Sequence, residues 1–157
     1  MSTDLTDEEH PERRPVIVGV DGSDASIDAL RQAARISSRL DLPLKVVSVW
    51  QYPLMLGTYV PDVNWAPEAD AQAVIQTTID AAFEDELPEM STSVRKGTPA
   101  HVLIEESEHA EMLVLGSRGH GGFAGLLLGS VSSACAEHAH CPVLIVHSDR
   151  AELLRDE

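Results

Sequence analysis

Residues 15–23 read PVIVGVDGS: apolar, mostly β-branched residues, then an acid, a glycine and a serine. A run without polar alternation predicts a strand covered on both faces, ending at Gly22-Ser23. The next segment changes period. Ile27, Leu30, Ala34, Ser37 and Leu40 recur at helical spacing, with Asp24 as the expected N-cap, until Pro43 ends the pattern.

The alternation continues to the end of the chain. Residues 44–50, LKVVSVW, form a second buried-type strand. Residues 51–66, with Pro53, Gly57 and Pro61, form a long connection of the kind that serves as a lid or binding loop, flanked by Trp50 and Trp65. A helix is predicted from Pro67 to about Leu87, closed by Pro88, with Ala71, Val74, Thr78, Ala82 and Phe83 on one side. Strand 91–96 follows, then a Gly97-Thr98-Pro99 turn in which Thr98 and Pro99 supply the N-cap and N1 of a helix to about Glu108. Strand 111–116 (EMLVLG), a glycine-rich stretch, a helix from Gly129-Ser130 to about Ala139 and strand 142–147 (PVLIVH) complete the order. Five strands alternating with four helices predict a single-domain, three-layer α/β/α fold with a doubly wound parallel sheet.

The 157 residues suit one domain, expected at 15–148, and at this size a core can bury enough surface without disulfides or a structural metal. An acidic lead-in of residues 1–14 and a short tail of 149–157 are expected to flank it, the lead-in disordered for lack of large apolar groups. With 26 acids against 11 bases the formal charge is −15, which disfavours nucleic acid and anionic membrane as partners. There is no apolar h-region near Met1 and no apolar run of spanning length, so a cytoplasmic location is expected. Global charge does not exclude one small phosphorylated ligand, because backbone N–H groups and helix termini hold phosphates locally.

In an open α/β sheet, ligands sit outside the carboxyl ends of the strands. Three loops qualify: the one after Asp21, the one from Val49 onward, and residues 116–130, GSRGHGGFAGLLLGS. Glycines let backbone N–H groups approach an anion without a Cβ in the way, and Ser130 adds a hydroxyl at a helix start, so the last loop reads as a phosphate cradle. It contains no acid and one base, Arg118. The Walker pattern is absent, since Lys96 precedes Gly97 and Lys45 has no neighbouring glycine. Gly119, Gly121 and Ala124 match the dinucleotide fingerprint only loosely, and in the wrong place, after the fourth strand.

The pattern present is Gly116, two residues, Gly119, nine residues, Gly129-Ser130. In this the sequence resembles the ATP-binding branch of the universal stress protein family, and the resemblance extends through PVIVGVDGS, LKVVSVW, the Gly97-Thr98-Pro99 turn, EMLVLGSRGHGG, LLLGSVS and CPVLIVH. It implies strand order 3-2-1-4-5 in a Rossmann-like sheet and binding of ATP, with ADP, AMP or cAMP as further candidates. It implies a homodimer joined through the last strand, Val143 to Val146. Carried across, Asp21 approaches the adenosine moiety above Gly19, and Val49 offers its backbone to the adenine edge. Gly116, Ser117 and Gly119 pass along ribose and phosphates, Arg118 reaches the polyphosphate, and Gly129, Ser130, Val131 and Ser132 donate to phosphates. Mg2+ would ride on phosphate oxygens and water, with no protein ligand.

Binding does not require hydrolysis. No lysine, dedicated acid or glutamine for attacking water is evident, and the hydroxyls of Ser23, Ser130 and Ser132 have no recognisable base partner in the sequence, so no catalytic residue is assigned. The expected function is a nucleotide-binding stress regulator or sensor; slow ATP hydrolysis, autophosphorylation or a nucleotide-independent interaction module are the alternatives. Cys135, His138, His140 and Cys141 suggest a metal by residue type, but a helix C-terminus favours histidine and a buried strand start favours a small apolar residue.

Overall fold

The computed structural model describes residues 13–52, 66–119 and 128–148. The expectations for the 1–12 and 149–157 tails, for Pro53 to Trp65 and for Gly121, Gly122 and Gly125 lie outside the described residues. In chain order the elements are β1 (Val16–Gly19), α1 (Asp24–Leu40), β2 (Leu44–Trp50), α2 (Pro67–Ala82), β3 (Ser91–Lys96), α3 (Pro99–Ser107), β4 (Met112–Gly116), α4 (Ser130–His138) and β5 (Val143–Val146). The five strands form one parallel sheet in the order β3-β2-β1-β4-β5.

The apolar run at β1 behaves as a strand buried on both faces should, because successive side chains alternate between faces. Val16 and Val18 pack with Ala29, Leu30 and Ala33 of α1 and with Ile75 and Ile79 of α2. Ile17 joins the other layer, with Leu103 of α3 and Cys135 of α4. Val114 and its neighbours Leu113 and Leu115 repeat the division along β4. Each such side chain, fully buried, contributes about 1.5–3 kcal/mol relative to exposure.

Several boundaries differ from the sequence expectation, most of them by a residue or two, and three have a visible physical reason. Helix α1 is capped by Ser23 rather than Asp24: Ser23 has extended backbone and its Oγ accepts the Ser26 N–H at 3.3 Å, while Asp24 occupies the first turn, where the helix dipole favours an acid. At its other end Leu40 is 56% exposed rather than part of the apolar stripe, and Asp41 closes the helix in the left-handed conformation with φ 54°. Arg13 donates to both the carbonyl and the carboxylate of Asp41. Helix α2 stops at Ala82, five residues short of Leu87, because Phe83 turns extended and Arg31 of α1 donates to the carbonyls of Ala81 (3.0 Å) and Ala82 (3.2 Å). Among the described residues no helix is long and apolar enough to cross a membrane.

Candidate functional site

Strand β1 is where the winding reverses, with β2 and β3 on one side and β4 and β5 on the other. The connections leaving β1 and β4 diverge there, which opens a crevice. A cavity of about 340 Å³ occupies it, lined from β1, its loop and the first turn of α1 by Gly19, Val20, Asp21, Ser23 and Ser26, and from β4 and its loop by Leu115, Gly116, Arg118 and Gly119. Val47 and Val49 of β2, Pro99 and Leu103 of α3, and Gly129 to Ser132 at the start of α4 complete the wall. That volume falls within the range of small-molecule sites.

Asp21 lies two residues past the end of β1. Its Oδ1 accepts two hydrogen bonds from Ser23, one from the backbone N–H at 3.0 Å and one from the hydroxyl at 2.5 Å. The carboxylate is therefore fixed in orientation by the same serine that caps α1. Gly119 faces it from the opposite loop, so near that an added Cβ would overlap Asp21 Oδ2.

The glycines have different reasons. A Cβ at Gly19 would meet Leu115 Cδ2 at 2.8 Å and Leu103 Cδ1 at 3.0 Å, and one at Gly116 would meet the backbone carbon and Cβ of Ala25 at 2.8 Å. These two are therefore required by the packing of β4, α3 and α1, in addition to lining the cavity. Gly129 is different: a Cβ there would come no closer than 3.5 Å to a described residue, and its φ of −72° suits any residue. Neither strain nor packing among the described residues asks for glycine at the point where α4 meets the cavity.

Helix α4 begins on this glycine and so has no side-chain cap. The Gly129 N–H donates to Ser117 O at 2.7 Å, and the first intrahelical bond runs from the Ser133 N–H to Gly129 O at 3.0 Å. The N–H groups of Ser130, Val131 and Ser132 belong to the first turn, whose donors have no intrahelical acceptor. The Ser132 hydroxyl is committed within the protein, donating toward Ser117 O at 3.0 Å and Gly129 O at 3.1 Å. Ser117 is buried and does not line the cavity; its N–H donates to Val146 O at 2.8 Å, and its carbonyl holds the start of α4. Its observed contacts set the position of the helix.

The opposite wall is apolar, formed by Val20, Val47, Val49, Leu103, Leu115 and Pro99, most of which the sequence reading did not single out. Helix α3 is pinned there by an ion-pair network. Glu106 binds Lys45 Nζ at 2.7 Å and Arg95 Nη1 at 2.8 Å, and Glu105 binds Arg95 Nη2 at 2.9 Å. Burial pushes the Glu106 carboxyl up, but the hydrogen bonds from Lys45 and Arg95, with their positive charges, outweigh it and hold the carboxyl below its ordinary range. Cys135 is fully buried, and burial, with Cys141 adding to it, pushes its thiol up to about 11. Among the described residues no group of three or more His, Cys, Asp and Glu side chains is arranged to hold a metal ion.

A model of the universal stress protein family matches residues 12–147. The chain belongs to that family. The universal stress protein of Mycolicibacterium smegmatis is 35% identical over 140 residues, covering 87% of this chain and 47% of that protein. Universal stress protein Rv2623 of Mycobacterium tuberculosis H37Rv is 35% identical over 139 residues, 87% of this chain and 46% of its own length. This universal stress protein chain thus spans about half the length of the curated relatives it matches. Among solved structures, the universal stress protein UspA from Lactobacillus plantarum superposes with a TM-score of 0.69 at 22% identity, over 87% of this chain and 99% of that one, and shares the fold. A universal stress protein solved in complex with cAMP superposes with a TM-score of 0.65 at 27% identity, over 88% of this chain and 100% of that one.

Proposed function

We propose that this universal stress protein binds an adenine nucleotide in the crevice between β1 and β4, ATP first, with ADP, AMP or cAMP as the other candidates. The observation that carries the reading is Gly129: a glycine demanded neither by its backbone nor by the described protein around it, at an uncapped helix start on a cavity wall. Removing the Cβ there admits an anion to the first-turn N–H groups, where the helix dipole is positive. The likeness to the cAMP-bound universal stress protein supports the same ligand class.

In this reading the phosphates lie on Gly129, Ser130, Val131 and the Ser132 backbone, beside Arg118. The adenosine lies along Gly116, Gly119 and Asp21, over Gly19, with the base against the apolar wall and its edge at the Val49 backbone. Ser117 holds α4 in place. When Mg2+ is present it neutralises phosphate charge, held by phosphate oxygens and water. Occupancy is the signal, as suits a cytoplasmic stress regulator, and a nucleotide at 100 times its Kd adds about 2.7 kcal/mol of stability. The protein acts as a homodimer through the edge strand β5, whose residues Val143 to Val146 are all apolar and half-buried.

A thermal-shift series with ATP, ADP, AMP and cAMP tests the reading. Saturation should raise Tm by roughly 5–10 °C for a chain of this size. No shift with any of the four would favour an interaction module that uses no nucleotide.

A further inference from the structure

Glu111, Cys141 and His147 carry metal-ligating atoms and lie away from the crevice. The β4–β5 ladder brings the first two together. Leu113 is paired with Val143 and its N–H donates to Pro142 O at 2.9 Å, so the ladder continues back from the strands and sets Glu111 beside Cys141. Side chains two residues apart along a strand share a face. Glu111, Cys141 and His147 therefore fall on the face of Leu113, Val143 and Ile145, in the layer that also holds Cys135. Burial pushes the Cys141 thiol up; the Leu113 N–H opposes the rise, and the Glu111 carboxylate is near enough to add to it. The thiol donates toward Pro142 O at 3.5 Å. Among the described residues the Glu111 carboxylate and the His147 ring take part in no ion pair.

Within one chain no third donor joins Glu111 and Cys141 among the described residues. A second copy supplies one. The carbonyls of Pro142 and Val146 turn toward β4, which leaves the N–H and C=O groups of Val143 and Ile145 on the open edge of β5. A twofold pairing of two such edges that uses all of these groups sets Val143 opposite Ile145 of the partner subunit. Two residues further out on each strand, Cys141 then stands opposite His147 of the partner subunit, on the same face. Neighbouring strands are about 4.8 Å apart, so Glu111, Cys141 and the partner's His147 form one row across three strands, with the short thiol in the middle and a longer arm on either side to close over it.

We infer that the dimer seam binds a divalent transition-metal ion of the zinc type at each of its two ends, held by Glu111 and Cys141 of one copy and by His147 of the partner subunit. The inference rests on the homodimer reading and not on the nucleotide. Thiolate, imidazole and carboxylate are all zinc ligands in kind, and three of them with a water complete a tetrahedron. Mg2+, a cation of oxygen sites, does not suit the thiolate. Binding releases the thiol proton to solvent, and the charge of the ion removes the conflict between the thiolate and the carboxylate beside it. Each site is complete only where two copies meet, so the metal strengthens the seam. At free Zn2+ 100 times the site Kd, two sites lower the dimer dissociation constant about 10⁴-fold.

The experiment strips the full chain of metal with a chelator, then titrates it with Zn2+, or with Co2+ as a spectroscopic stand-in. Light scattering on dilution should show a dimer that Zn2+ tightens, and Co2+ should give a thiolate-to-metal absorption band that saturates at one ion per chain. Cys141→Ser and His147→Ala, one at a half-buried and one at an exposed position, should each lose the band and the Zn2+ effect while remaining dimeric without metal. Glu111→Gln should keep the band and bind Co2+ more weakly. Mixing the Cys141→Ser and His147→Ala chains and letting them exchange should restore about a quarter of the band, because half of the random dimers are mixed and each mixed dimer rebuilds one of its two sites. A chain that stays monomeric with and without Zn2+ would overturn the homodimer reading and the site with it. A dimer that gives no band, or that keeps it in Cys141→Ser, would overturn the metal site and leave the dimer standing. A band undiminished in His147→Ala, or no restoration on mixing, would overturn the partner's contribution, and unaltered Co2+ affinity in Glu111→Gln would remove that ligand.

Discussion

Gly119 and Asp21 come from different loops and touch so closely that a methyl group on the glycine would overlap the carboxylate oxygen Oδ2. The contact joins the β1 and β4 loops across the mouth of the cavity. Gly119→Ala should push the carboxylate off its Ser23 hydrogen bonds and weaken nucleotide binding about tenfold, roughly 1.4 kcal/mol. Because Asp21 is exposed and outside both core clusters, the fold should survive with little change in Tm. Calorimetry and a thermal melt on the same sample check both halves.

Gly116→Ala and Gly129→Ala should separate packing from binding. The first drives a Cβ into the backbone of Ala25 and should destabilise the fold by about 1–3 kcal/mol in urea. The second meets nothing closer than 3.5 Å among the described residues, so its unfolding free energy should move by less than about 1 kcal/mol while nucleotide affinity falls. Equal loss of stability in the two variants would mean that Gly129 is a packing glycine.

How far these roles were legible depended on the range of the interactions behind them. The strand at Val16–Gly19 and the spacing from Gly116 to Ser130 are local patterns, and the sequence carried them. The end of α2 is not local: residues 84–87, EDEL, continue a helix-forming composition, and the stop comes from Arg31, about fifty positions away, donating to the last carbonyls. The apolar wall was equally hidden, since Val47, Leu103 and Leu115 read as ordinary core until the sheet order places them together. Glycine type alone also could not distinguish Gly116, which accommodates Ala25, from Gly129, which accommodates no described residue.

Glu106 links Lys45 of β2 and Arg95 of β3 to α3, with its carboxyl held below the ordinary range. A depressed carboxyl stabilises the fold fully above its unfolded-state value and loses that contribution as pH falls through the lower folded-state value. Glu106→Gln should cost about 2 kcal/mol at neutral pH and flatten the acid limb of the stability curve. Urea unfolding from pH 7 down to pH 3 would show it, and parallel acid limbs for the two proteins would contradict it.

The edge strand β5 bonds to β4 through Pro142 O and Val146 O, and the alternation of a parallel ladder then places the N–H groups of Val143 and Ile145 on the open edge. Ile145→Pro removes one of these donors. Light scattering at micromolar concentration should give a dimer for the parent chain and a monomer for the variant, and a monomeric parent would refute pairing through this strand.

Calorimetric titration of the parent chain and of Gly129→Val with ATP decides whether this crevice holds the nucleotide. The parent should bind one ATP per chain, and the valine, standing where a Cβ meets no described residue closer than 3.5 Å, should abolish the heat while the fold persists by circular dichroism. A parent that gives no heat with ATP, or a folded valine variant that binds it unchanged, would contradict the assignment of this crevice.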